Sequence, residues 1–153
     1  MEKLAETYFF KDLNSSEQEI LKEITKIREV AKGEIILKQG QSSDELFIVR
    51  TGSVRVLIPV PEGVVVDDSS EKTLAVLNPG ECFGEFAFVD HKPASATVQA
   101  VSDSTVYAIG HADIERTLLG DPASAVKIYK ALLNILVSRF RNTDIELAMR
   151  KAF

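Results

Sequence analysis

Between Gly33 and Gly110 the chain is cut into six short β-rich runs: EIILKQG, ELFIVRTG, SVRVLIPV, TLAVLNPG, SATVQAV and STVYAIG. Turn residues punctuate them. Valine, isoleucine, threonine and phenylalanine carry the runs, and such side chains fit a pleated, half-buried surface better than a helix. Short strands at regular spacing predict a barrel or a jelly roll over about 33–110. One interruption, PEGVVVDDSSE between Val60 and Lys72, combines proline with an acidic-serine stretch and reads as a hairpin excursion rather than a domain linker.

Helical texture flanks the strands. Upstream, Ile20, Leu21, Ile24 and Ile27 recur at helical spacing, and Ser15 with Gln18 fits a capping box, so a helix is predicted over about 16–28. The Phe9-Phe10 pair is expected to anchor this end in the core. Downstream, a helical part is predicted over about 111–150, with Pro122 as a first-turn residue. There Val126, Tyr129, Leu133, Leu136, Phe140, Thr143 and Leu147 alternate at spacings of three and four, and Ile128, Leu132 and Ile135 form a second stripe. One stripe is expected to face the roll and the other a partner, making a homodimer through the C-terminal helix. The fold class is mainly β with flanking N-terminal and C-terminal helices, and 153 residues suit a single domain over 1–153.

Composition removes several classes of function. Eighteen basic against twenty-three acidic residues leave a net charge of -5, the reverse of a nucleic-acid-binding footprint. No window approaches the roughly 20 apolar residues of a membrane span, and the start, MEKLAETYFFKDL, has no signal-peptide pattern. The expectation is a cytoplasmic protein with no nucleic-acid or membrane partner. Cys82 is the one cysteine and reads as a small buried hydrophobe. With only His91 and His111 beside it, both expected at the surface, a four-ligand Cys/His zinc site is not available. An early His-x-His pair, needed by a metal-dependent cupin of the same jelly-roll class, is missing. No nucleophile-base arrangement is evident either, so neither catalysis nor a cofactor is expected.

The segment that carries chemistry runs from Asn78 to Ala100, NPGECFGEFAFVDHKPASATVQA. Gly80 and Gly84 stand next to Glu81 and Glu85, and the small residues Ala87, Ala94, Ser95 and Ala96 allow backbone to approach a ligand. A short helix beginning at Glu85 would aim free N–H groups at a compact anion such as phosphate.

Within it, FGEFAFVDHKPASATV resembles the phosphate-binding cassette of cyclic-nucleotide-binding domains. These are the sensors of cyclic-AMP-dependent kinase regulatory subunits, catabolite-activator transcription factors and cyclic-nucleotide-gated channels. Gly33-Glu34, Gly40, Phe47-Ile48-Val49, Gly52-Ser53-Val54 and Pro79-Gly80-Glu81 match the family's punctuation in order, and the resemblance covers about Phe9 to Val137. It implies the double-stranded β-helix (jelly-roll) fold and that cAMP or cGMP is the ligand. Phe83 and Gly84 would open the cassette, and Glu85 would accept from the ribose 2′-hydroxyl. Phe86, Ala87 and Ala96 would offer backbone N–H groups to the cyclic phosphate. Ser95 would stand where a hydroxyl contacts a syn guanine, Thr97 would begin the next strand and Val98 would lie beneath the base. The family's arginine after the cassette proline, which forks onto the phosphate, is replaced here by Ala94 after Pro93. Lys92, Lys38 and Arg50 are the nearest candidates to replace its charge. The expected function is a weakly binding sensor without its own output domain, signalling to a protein partner through closure of the C-terminal helix. The alternative is a degenerate domain acting as an interaction or dimerisation module.

Overall fold

The computed structural model describes residues 2–60, 62–63 and 71–152. In chain order the elements are α1 (Glu2–Ala5), α2 (Ser15–Ile24), β1 (Thr25–Val30), β2 (Ile35–Leu37), β3 (Glu45–Thr51), β4 (Val54–Pro59), β5 (Glu71–Leu77), β6 (Cys82–Phe83), α3 (Glu85–Asp90), β7 (Thr97–Ala100), β8 (Ser104–Gly110), α4 (His111–Arg116) and α5 (Pro122–Ala152). Two four-stranded antiparallel sheets, β1-β8-β3-β6 and β2-β7-β4-β5, form the expected roll. All six predicted runs contain strands; most of the PEGVVVDDSSE excursion lies outside the described residues.

The central strands of the first sheet are apolar on both faces because both faces are covered. Phe47 and Val49 of β3 and Val106 and Ala108 of β8 point into the roll, where they meet Val54, Leu77, Phe83 and Val98. Leu46, Ile48, Tyr107 and Ile109 point the other way, under the helices, against Phe9, Phe10, Leu21, Ile114, Ile128 and Leu132. Phe9 and Phe10 thus form part of the core, their rings edge-on at 4.8 Å.

The N-terminal helix is shorter than its apolar spacing predicts. It ends at Ile24, and Thr25–Val30, expected to be partly helical, is a strand paired with β8 from Thr25↔Ile109 to Val30↔Ser104. Ile27 carries the misleading period: it is 49% exposed and belongs to the strand. β-branched Thr25, Ile27 and Val30 suit that edge position, and the free edge of β8 outweighs the helical pattern. The cap also moves by one residue. Asn14 is the N-cap, accepting from the Glu17 N–H at 2.9 Å while the Glu17 carboxylate accepts from the Asn14 N–H at 2.7 Å.

Glu17 is more than a cap. It is only 6% exposed, and it accepts from Ser124 Oγ at 2.6 Å and Lys127 Nζ at 2.8 Å on the first turns of α5. Two helices separated by the whole roll are joined through one carboxylate. α5 itself resolves the two stripes. Ile128 and Leu132 are buried and Ile135 and Leu136 pack partly against the same core. Val126, Tyr129, Leu133, Phe140 and Leu147 are 48–69% exposed.

Burial tends to raise the Glu17 pKa, but the Lys127 and Ser124 hydrogen bonds and the Asn14 N–H outweigh it and hold the carboxyl below 4.5. A carboxyl with a depressed folded pKa contributes stability above its unfolded value and loses it as pH falls through the folded one. Glu17→Gln is expected to cost about 1–3 kcal/mol at neutral pH. The difference in melting temperature from the native protein should shrink on acidification below about pH 4. A difference that stays constant with pH would show that the ionised carboxylate is not what joins α2 to α5.

Candidate functional site

The glycine-glutamate segment is positioned by β3. β6 pairs with it through Phe47↔Phe83 and Ile48↔Cys82, and the Phe83 ring stacks on Phe47 at 5.0 Å inside the roll. At Gly84 the backbone turns with φ of 81°, and a Cβ there would lie 2.7 Å from the Glu45 carbonyl oxygen. Both the dihedral and the close approach require glycine. The turn starts α3, whose first-turn N–H groups have no intrahelical acceptor. His91 ends the helix in the left-handed region, its N–H donating to the Ala87 carbonyl at 3.0 Å.

α3 buries Glu85, Ala87 and Phe88 and exposes Phe86 and Val89. The return limb is tied to the β2–β3 turn: the Ala94 N–H donates to Gln41 and the Gly40 N–H to Ala94, each at 2.9 Å. Ala94 is buried, Ser95 exposed and Ala96 half-buried. The buried Thr97 hydroxyl accepts from the Gln39 N–H at 3.1 Å, a bond that fixes the same turn. Of the expected site residues, the Phe83 and Val98 side chains belong to the roll interior, and the Thr97 hydroxyl is already bonded to backbone.

None of the three expected replacement cations forms the site's ion pair. Lys92 is exposed, Arg50 lies over the Tyr107 ring, and Lys38 lines a cleft with Arg28, Ser42, Ser43 and Asp44. The cation is Arg139 of α5. One of its terminal nitrogens donates to Glu85 Oε1 and the other to the Cys82 carbonyl. Glu85, read as a free acceptor, is thus 3% exposed and ion-paired. The sequence holds a signal for it: Arg139 continues the core-facing series Ile128, Leu132, Ile135 at a further spacing of four.

Two further residues are corrected or sharpened. Burial pushes the Cys82 thiol pKa up, with Arg139 opposing the shift only in part, so the thiolate is disfavoured. His111, expected at the surface, is 6% exposed because α4 folds its first residue under α3. Its ring lies 5.3 Å from that of Phe88, and Nε2 has no hydrogen-bond partner among the described residues. Desolvation lowers its pKa below 6.5, against the opposing influence of Asp44, the Glu45 and Gly84 backbone and Glu115.

A β-roll whose β6–β7 connection holds a glycine turn, a buried glutamate and a short helix defines a class of small-ligand-binding jelly rolls. This chain belongs to the cyclic nucleotide-binding domain family, whose sequence model matches residues 27–121. It is 33% identical over 116 residues to a cyclic AMP receptor protein of Thermus thermophilus, covering 76% of this chain and 49% of that one. A cAMP-dependent protein kinase regulatory subunit of Blastocladiella emersonii is 23% identical over 85% of this chain and 31% of its own length. Among solved structures, the Thermus thermophilus catabolite activator protein superposes with a TM-score of 0.73 at 28% identity, over 95% of this chain and 63% of that one. A cyclic nucleotide-binding domain from Methylobacillus flagellatus reaches a TM-score of 0.82 at 22% identity, over 97% and 80%. The chain spans 10–49% of the length of five curated relatives that it matches. No helix among the described residues is long and apolar enough to cross a membrane.

Because His111 has a depressed folded pKa, the folded state binds fewer protons than the unfolded one, so stability rises with pH through this range. Its contribution is present above about pH 6.5 and is lost as pH falls through the lower folded value. Native protein is expected to lose melting temperature between about pH 7 and pH 5. His111→Phe should lose less. Equal slopes for the two proteins would remove His111 as the cause.

Proposed function

We propose that this chain is a cytoplasmic, non-catalytic sensing domain that binds cAMP or cGMP weakly at the segment from Phe83 to Thr97 and reports occupancy through α5. The observation that carries this reading is the Arg139 bridge. The glutamate assigned to the ribose is held by α5, so a ligand contacting Glu85 acts on that helix directly. In this reading the Glu85 carboxylate receives the ribose hydroxyl, and backbone N–H groups of Phe86, Ala87 and Ala96 serve the phosphate. Weak affinity follows from Ala94. A charge-assisted hydrogen bond contributes about 1.5–3 kcal/mol, so its absence lowers affinity about 10- to 100-fold.

Calorimetric titration with cAMP and cGMP tests the reading. Ala94→Arg is expected to tighten binding about 10- to 100-fold and Glu85→Ala to weaken it. No binding at millimolar nucleotide by either native protein or Ala94→Arg would sink the sensor reading.

A second reading has its own support, since Ala94 removes the phosphate anchor while a long apolar face of α5 stays uncovered. In that reading the chain is an interaction module, with a second copy or another protein against Val126, Tyr129, Leu133 and Phe140. Leu133 discriminates better than Leu136, which packs partly on the chain's own core. Sedimentation should show a dimer for native protein and a monomer for Leu133→Glu; monomers in both would eliminate pairing through this face.

A further inference from the structure

His111 stands where three elements meet. It is the first residue of α4, and its N–H donates to the Asp44 carbonyl at 2.7 Å, just before β3 begins. The preceding residue, Gly110, pairs with Glu45, whose carbonyl oxygen is the atom that leaves no room for a Cβ at Gly84. On its other side the ring lies 5.3 Å from that of Phe88, the residue of α3 that enters the core beneath the helices alongside Ile114 of α4. The seat of α3, and with it the direction of its first-turn N–H groups, is shared with a titratable side chain.

That seat suits a neutral ring. His111 is 6% exposed, and Nε2 is buried without a hydrogen-bond partner among the described residues. A proton added to the ring makes both nitrogens donors and places a charge where solvent is excluded. The groups that face the ring favour the charged form: Asp44 from the turn before β3, Glu115 one turn along α4, and the backbone of Glu45 and Gly84. Loss of solvent outweighs them, so packing and protonation oppose one another.

We propose that His111 is a proton-linked positioning residue for the cassette: the neutral ring seats α3 in the arrangement that receives the cyclic phosphate, and a proton on the ring unseats it, so acid weakens nucleotide binding. This rests on the sensing reading above and adds a second input to the same site. The binding-competent form holds fewer protons on His111 than the unseated form, so nucleotide binding releases a proton and affinity rises with pH. The window follows from the direction of the shift: it opens near the ordinary histidine value of 6.5, where an unseated ring titrates, and extends down to the lower value of the seated ring. By reciprocity, a bound nucleotide makes His111 harder to protonate.

Two measurements test this. Calorimetry with cAMP and cGMP between about pH 7.5 and about pH 5.5 compares native protein with H111F and H111Q, whose side chains take up no proton in that range. Native affinity is expected to fall about threefold to tenfold across the range, never by more than about tenfold per pH unit, while both variants stay within about twofold. NMR titration of the imidazole, first without nucleotide and then at saturation, reads His111 apart from the exposed His91. Nucleotide should lower the His111 midpoint, and the amide resonances of 85–91 should follow that midpoint in native protein but not in H111Q. Native affinity independent of pH, variants that keep the native dependence, or a midpoint raised by nucleotide would overturn the linkage and leave the sensing reading intact. Amides of 85–91 that ignore the His111 midpoint in native protein would overturn it as well, with no nucleotide and no variant needed. If native protein and Ala94→Arg both fail to bind at millimolar nucleotide at every pH, the sensing reading fails and the linkage with it.

Discussion

Burial on both faces of the β3-β8 pair organises everything else. Leu46, Phe47, Ile48 and Val49 are all at most 2% exposed, as are Val106, Tyr107 and Ile109. Such a ladder buries side chains on both faces, and a one-residue slip would exchange the residues facing the roll with those facing the helices. The register is therefore strongly specified, and with it the place where β6 pairs and where the backbone must turn at Gly84. The cassette glycine is a consequence of this packing as much as of any ligand, since the Glu45 carbonyl at the start of β3 leaves no room for a Cβ.

The helical layer uses charge where the roll uses apolar contact. Glu17 fastens the beginning of α5 through Ser124 and Lys127, and Glu85 fastens it farther along through Arg139. Breaking a buried pair by removing one partner costs far more than the pair contributes relative to an apolar substitute. Such contacts are consequently poor general stabilisers and good selectors of one geometry. Between them Ile128 and Leu132 seat the helix on the core, so apolar packing and the two charged contacts together hold it.

The family resemblance and the geometry of this chain emphasise different things. The family match covers the roll and cassette, residues 27–121, and stops before α5 begins. The cation that pairs with Glu85 lies beyond that boundary, at Arg139. The replacement of the cassette arginine by Ala94 and the arrival of an arginine from the helix are separate events in the sequence, and they act at different parts of the site. In the proposed binding mode Ala94 leaves the phosphate end without a cation, while Arg139 stands at the ribose end.

Much of the architecture was legible in local pattern. β-branched runs between turn residues marked six strands, paired stripes marked α5 and its core face, and the Gly84-Glu85 segment marked the cassette with its missing arginine. What misled were patterns that tertiary contacts overrule. Ile27 extended a helical period into a segment that an open edge of β8 captured as a strand, and His111 looked like a surface residue until α4 turned it beneath Phe88. Arg139 marks the limit most clearly. Its position one helical step past Ile135 was readable, but its pairing with a carboxylate 54 residues earlier was not. Sequence by itself marked six of the eight described strands and the turns between them, because those depend on neighbours along the chain. Only the tertiary structure decided which cation meets Glu85, because that depends on how two separately specified surfaces approach.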